Sequence, residues 1–173
     1  MPLGTQEELP WGNNANCYAY ASDCQNPANG AMGGAVPGVQ ATANGVVVAA
    51  HHTNEQRVLL DGGANITLAG NNPHAIPMVV AGHYLICLLE GAHGFHFIRR
   101  DSYTGRWSWK DGNGGTVKYN ALHVPTNHFV YINDGNFVDL VVTNPNNYAP
   151  WAYANMNFVA FFQVANAGFL VRR

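Results

Sequence analysis

From residue 78 onward the chain is a succession of short apolar runs, each closed by a turn signal, and this pattern constrains the fold more than any other feature. Val79–Leu89 and Gly94–Arg100 read as strands, with Arg106–Lys110 as a hairpin partner across Asp101-Ser102-Tyr103-Thr104-Gly105. Phe129–Ile132 and Phe137–Val142 flank Asn133-Asp134-Gly135-Asn136, where Asp-Gly is a strong hairpin turn. Phe158–Val164 and Phe169–Val171 follow as final strands. Consecutive runs joined by tight turns pair antiparallel. The best helix candidate precedes them all, at residues 15–23, where Ala15, Ala19 and Ala21 favour a helix and Asn13 or Asn14 would cap it. The expected fold class is therefore α+β: an N-terminal helix packed on an antiparallel β-sheet.

The rest of the chain is less regular. Residues 1–14 read as an irregular arm, and 24–45 as a long loop rich in Gly, Pro and Asn. A loop of that length in a compact domain is often functional, and this one would wall a cleft beside the helix. Residues 46–60 fit strand or helix equally, because short apolar runs do not decide between them, and Gly62-Gly63 ends the segment. At 173 residues the chain is expected to form a single domain.

Charge is scarce, at 10% Asp, Glu, Lys and Arg with a net charge of −2. Nucleic-acid binding normally shows a larger basic footprint, so no nucleic-acid partner is expected. Residues 1–10 carry acidic groups and no apolar stretch, unlike a secretory leader. No run approaches the ~20 apolar residues of a membrane helix, so no membrane partner is expected either. Three cysteines, Cys17, Cys24 and Cys87, make no complete disulfide set. A Cys17–Cys24 bridge would span one short helix, and Cys87, within Tyr84–Leu89, reads as a buried structural thiol.

Chemistry concentrates at two places. Cys17 heads the helical run Asn16-Cys17-Tyr18-Ala19-Tyr20-Ala21, and His96 lies in the strand-like run His96–Asp101. A thiolate at a helix N-terminus is stabilised by orphan N–H groups and the helix dipole. An imidazole on a rigid strand would hold it as an ion pair and return a proton to the leaving group. Backbone N–H groups of Asn16 and Cys17, with the side chain of Asn13 or Asn14, would supply an oxyanion hole. Strand alternation puts His96, Ile98 and Arg100 on one face, and Phe97 and Arg99 on the other. With a four-residue loop, Ser102–Gly105, Ile98 faces Trp109 and His96 faces Asp111, a carboxylate suited to orient the imidazole. A five-residue loop would set Lys110 opposite His96 instead.

These residues resemble a known group. Asn-Cys-Tyr-Ala-Tyr-Ala, then Pro37-Gly38, Gly82-His83 and the run from His96 through Trp107-Ser108-Trp109-Lys110, look like a set of bacterial and phage proteins. That set carries Asn-Cys-Tyr-Ala-Tyr-Ala, Asp-Tyr-His-Phe-Tyr-Arg, a turn and Trp-Ser-His-Lys. Its block order is similar to papain-like cysteine hydrolases, which include bacterial cell-wall amidases and endopeptidases. The resemblance covers residues 13–38 and 82–112. It implies a papain-like fold, Cys17 as nucleophile, His96 as base, and a peptide or peptidoglycan stem peptide as substrate. Trp109 stands where the group has His, so a third polar residue at that position is missing, and Asp111 or Asn113 would have to replace it.

Other chemistry finds less footing. Eight histidines are present, but His93 and His96 would point to opposite faces of a strand. No helical pair of His with a nearby acid occurs, so neither metal nor other cofactor is expected. Gly112-Asn113-Gly114-Gly115 lacks the Lys-Ser or Lys-Thr ending of a phosphate loop. Three readings of function follow. The first is a papain-like cysteine hydrolase cleaving an amide bond. The second is a phage virion or surface structural protein with a hydrolase-like fold and no turnover, partnered by a protein assembly. The third is a carbohydrate-binding module using Trp11, Trp107, Trp109, Tyr148 or Trp151 to stack on sugar rings.

Overall fold

The computed structural model describes residues 15–24, 34–72, 75–92, 94–100, 107–110, 117–119 and 156–172. Among the described residues three short helices precede all of the strands: α1 (Cys17–Ala21), α2 (Val39–Ala43) and α3 (Asn54–Gly62), with a 3₁₀ turn at Gly63–Asn65. Six strands follow: β1 (Ile66–Gly70), β2 (His83–Gly91), β3 (Gly94–Arg100), β4 (Trp107–Lys110), β5 (Val117–Tyr119) and β6 (Met156–Ala165). They form one antiparallel sheet in the order β1-β6-β2-β3-β4-β5. The α+β class expected from the sequence is what is observed.

Each helix has a local or borrowed start. Asn16, rather than Asn13 or Asn14, caps α1: its backbone is extended and its side chain accepts from Ala19 N at 3.1 Å. The ambiguity over residues 46–60 resolves in favour of a helix beginning at Asn54. There Thr53 and Gln56 form a reciprocal capping box, and Gly63, at φ 52°, stops it. The stretch read as loop, 24–45, contains α2, which follows Gly38 at φ 93°. Its N-terminal amides are satisfied by Asp61, far along the chain.

β3 matches its expected limits, and β6 contains the expected strand Phe158–Val164. β2 starts four residues later than expected, at His83, because Ala81-Gly82 turns the chain, with His83 N donating to Val80 O. β1 was not expected. Phe169–Val171 is not a strand: Phe169 N donates to Ser22 O, which fastens this segment to the end of α1. The expected 129–142 hairpin lies outside the described residues.

The sheet buries apolar side chains on both faces. Cross-strand partners share a face, so the registers sort the residues. One face carries Tyr84, Ile86, Leu88, Phe97, Ala160, Phe162 and Val164, which form a single core with α1, Val58 and Phe169. The other carries Leu85, Cys87, Leu89, Ile98 and Phe161, also buried.

Candidate functional site

α1 lies on the sheet over β3 and β4, and every one of its five residues is buried. Its polar groups are engaged one by one. Asn16 Nδ2 donates to Ala35 O at 2.8 Å while its Oδ1 caps the helix. The Tyr18 ring stacks on Phe97, with centroids 4.8 Å apart and planes at 27°. Its hydroxyl donates to Asp61 Oδ2 at 2.8 Å. The Tyr20 hydroxyl donates to Ser108 Oγ on β4 at 2.6 Å, and Tyr84 on β2 donates to Ala21 O at 2.9 Å. Ser22 Oγ closes the helix by donating to Tyr18 O and Ala19 O.

Arg99 is among the largest fully buried side chains of the described residues. Its guanidinium lies 4.2 Å from the centroid of the Tyr84 ring, within cation–π range. Nη1 sits 3.5 Å from both Asp23 Oδ1 and Tyr20 O. Burial pushes the Asp23 carboxyl up from its ordinary value, with Arg99 acting in the opposite sense. Asp61 is also buried. It accepts from Tyr18, from Gly38 N at 2.7 Å and from Ala41 N at 2.7 Å. Burial raises its pKa, and those hydrogen bonds pull the other way. Burial, reinforced by Asp61, lifts Tyr18 well above 10.0.

The two residues singled out from the sequence lie on different elements. Cys17 is the first residue of α1, 5% exposed, and belongs to the core between helix and sheet. His96 is in β3, 6% exposed, opposite Leu89. β3 has no bulge in its register with β2, so side chains alternate strictly along it. Phe97 stacks on Tyr18, Phe95 meets Tyr18 edge-on at 6.4 Å, and Arg99 approaches Tyr20 O. α1 therefore occupies the face of Phe95, Phe97 and Arg99, and His96 turns to the opposite face with Ile98. The structure does not bring Cys17 and His96 together on one face of the sheet.

The β3–β4 register pairs Arg99 with Ser108 and Arg100 with Trp107, which is the register of the four-residue loop. Asp111 and Asn13 lie outside the described residues, as do Trp11, Tyr148 and Trp151. Trp109 is buried, at 4% exposure, so it does not offer a stacking surface to a sugar. None of the three cysteines is in a disulfide and all are buried, so Cys17 and Cys24 are not bridged. Burial alone drives the Cys87 thiol well above 9.0. A cleft of about 320 Å³ opens at the other end of α1 from Cys17, lined by Asp23, Cys24, Asn65, Gly168, Phe169 and Leu170. Among the described residues no group of three or more His, Cys, Asp or Glu is placed to hold a metal ion. No described helix is long and apolar enough to cross a membrane.

Asp61, Ser108, Tyr84 and Arg99 were missed as partners of the Cys17 segment. The available signal was the pair Tyr18 and Tyr20: two hydroxyls on a helix of otherwise small apolar residues must find acceptors once that helix is buried. No protein-family model matches this chain, and neither a curated protein nor a solved structure matches it.

Proposed function

We propose that this chain is a structural module of a surface or particle assembly. In this reading it keeps the papain-like order of a Cys-bearing helix followed by an antiparallel sheet, but performs no turnover through Cys17. The observation that carries the proposal is the facing of β3, which turns His96 away from the side on which α1 and Cys17 lie. Cys–His catalysis needs the base within hydrogen-bond reach of the nucleophile, ~2.6–3.2 Å or one water away. The other polar residues shared with the hydrolase-like motifs support the same reading. Asn16, Tyr18, Tyr20, Arg99 and Ser108 all spend their hydrogen bonds or charge holding α1 to its neighbours.

Site-resolved alkylation with iodoacetamide from pH 4 to 9, in the wild type and in His96→Ala, tests it. Cys17 is expected to label slowly at every pH, as is the buried Cys87, with no change in His96→Ala once circular dichroism has confirmed that the variant is folded. Rapid labelling of Cys17 well below the free-thiol value of ~8.5, abolished in His96→Ala, would overturn the proposal. That result would favour a papain-like hydrolase acting on a peptide or peptidoglycan amide.

A further inference from the structure

Residues 34–45 are fastened to the rest of the molecule by hydrogen bonds more than by apolar burial. At the front, Asn16, the cap of α1, donates through Nδ2 to Ala35 O at 2.8 Å. Val36 N donates to Arg172 O at 2.8 Å. Behind them Gly38 N and Ala41 N each donate to Asp61 of α3 at 2.7 Å, and Arg172 Nε donates to Gln40 Oε1 at 2.8 Å. The apolar side chains that the segment buries, Ala35, Pro37 and Ala41, are small. Val36 is exposed, as are Val46 and Val47 in the connection that leaves α2. β2, by contrast, buries every residue from Tyr84 to Leu89. Apolar burial is the dominant stabilising term in a fold, whereas a hydrogen bond exchanged with water contributes modestly. A segment held in the second way opens locally, at a lower free energy than global unfolding.

α2 is also closed upon itself. Gly45 N donates to Thr42 O at 3.0 Å and Val46 N to Ala41 O at 2.9 Å, the two bonds of a Schellman motif. Thr42 reaches Gly38 O through both its amide and its hydroxyl. These bonds lie within the segment, so they survive when the outward ones break. Gly34, at φ 40°, supplies a pivot at the front, since glycine crosses between backbone regions at little steric cost.

We propose that residues 34–45 are a lid over the start of α1, which opens as a unit by releasing Asp61, Asn16 and Arg172 while the sheet stays folded. Opening bares the Asp61 carboxylate, the Tyr18 hydroxyl that it accepts from, and the amides of Gly38 and Ala41. The lid is independent of the chemistry of Cys17, so it stands or falls separately from the alkylation result.

Native-state amide hydrogen exchange in urea concentrations below the unfolding transition tests it, on the full chain and on Arg172→Ala. In the wild type the amides of Gly38 and Ala41 are expected to exchange faster than those of Leu85–Leu89, with a much shallower dependence on urea, because the slope follows the surface exposed on opening. Arg172→Ala cuts a charge-assisted tether and should speed exchange at Gly38 and Ala41 about tenfold, leaving the β2 amides unchanged. Gln40→Ala cuts the same tether from the other side and repeats the test should the first variant fold poorly. Exchange at Gly38 and Ala41 with the rate constants and urea slope of the β2 amides would mean that they open only with the whole domain, and that overturns the proposal. So does exchange at these two amides that stays unchanged in the folded variant.

Discussion

Asp61→Ala removes one acceptor and strands three buried donors: the Tyr18 hydroxyl and the amides of Gly38 and Ala41. Each stranded donor costs about 1–3 kcal/mol, and local adjustment recovers part of that. We expect a total loss of about 3–5 kcal/mol, a large share of the ~5–15 kcal/mol that stabilises an ordinary domain. In a chain of this size 1 kcal/mol moves the melting temperature by ~2–4 °C, so melting should fall by roughly 10 °C or more. The geometry also predicts how the loss divides. Tyr18→Phe removes a single donor and should cost about 1 kcal/mol in the wild type. In the Asp61→Ala background the hydroxyl has already lost its acceptor, so the same substitution should cost much less or become favourable. The coupling between the two sites should be at least about 1 kcal/mol. Urea unfolding followed by circular dichroism, on the wild type, both single variants and the double, gives all four values. A loss below about 1 kcal/mol for Asp61→Ala, or strict additivity, would refute the view that this carboxylate ties α1, α2 and α3 together.

Gly168 sits at φ 64°, and a Cβ there would collide with the carbonyl oxygen of Ser22. Gly168→Ala should therefore cost more than about 2 kcal/mol, combining the left-handed penalty with the clash, and thermal melting checks it. Alkaline pH should destabilise the fold. Tyr18 and Cys87 stay protonated when folded, well past 10.0 and 9.0, whereas in the unfolded chain both ionise near their ordinary values. Their contribution is thus complete below about pH 8.5 and is lost as pH rises through their folded values, by up to about 1.4 kcal/mol per group per pH unit. Urea midpoints measured from pH 7 to 11 should fall, and the fall should be shallower in Tyr18→Phe. A flat profile would contradict the assigned burial.

The β3–β4 hairpin was legible because its signals are local. Gly94–Arg100 alternates and is followed by a short polar turn, and the pairing of Arg99 with Ser108 is the register that a four-residue loop imposes. The two faces of β3 were legible as well. Which face α1 would choose was not, because that choice is made by side chains distant in sequence. The aromatic stack of Tyr18 on Phe97 and the hydrogen bond of Tyr20 to Ser108 draw the helix to the side away from His96. α2 was invisible for the same reason: its cap, Asp61, is 20 residues away from Ala41. α3 did carry a local signal, Thr53-x-x-Gln56, but the more conspicuous run Val46–Ala50 drew the reading toward an ambiguous apolar segment. β1 is only five residues long between Gly- and Asn-rich flanks, too short for alternation to separate it from a loop.

The position of β6 has a consequence for how this chain acquires its structure in a cell. β6 lies between β1 and β2 in the sheet, yet it follows β1 by the whole of residues 71–155. On a translating ribosome that interval lasts on the order of ten seconds. Throughout it β1 lacks β6, its one neighbour among the described strands, and β2 has only its hairpin with β3, so the nascent chain waits with a gap in its centre. Phe162 and Val164, which complete the core beneath α1, arrive with the same late strand. Assembly should therefore behave as one late closure rather than stepwise growth from the N-terminus, and a holdase that shields β1 and β2 during the wait would raise the yield of folded protein.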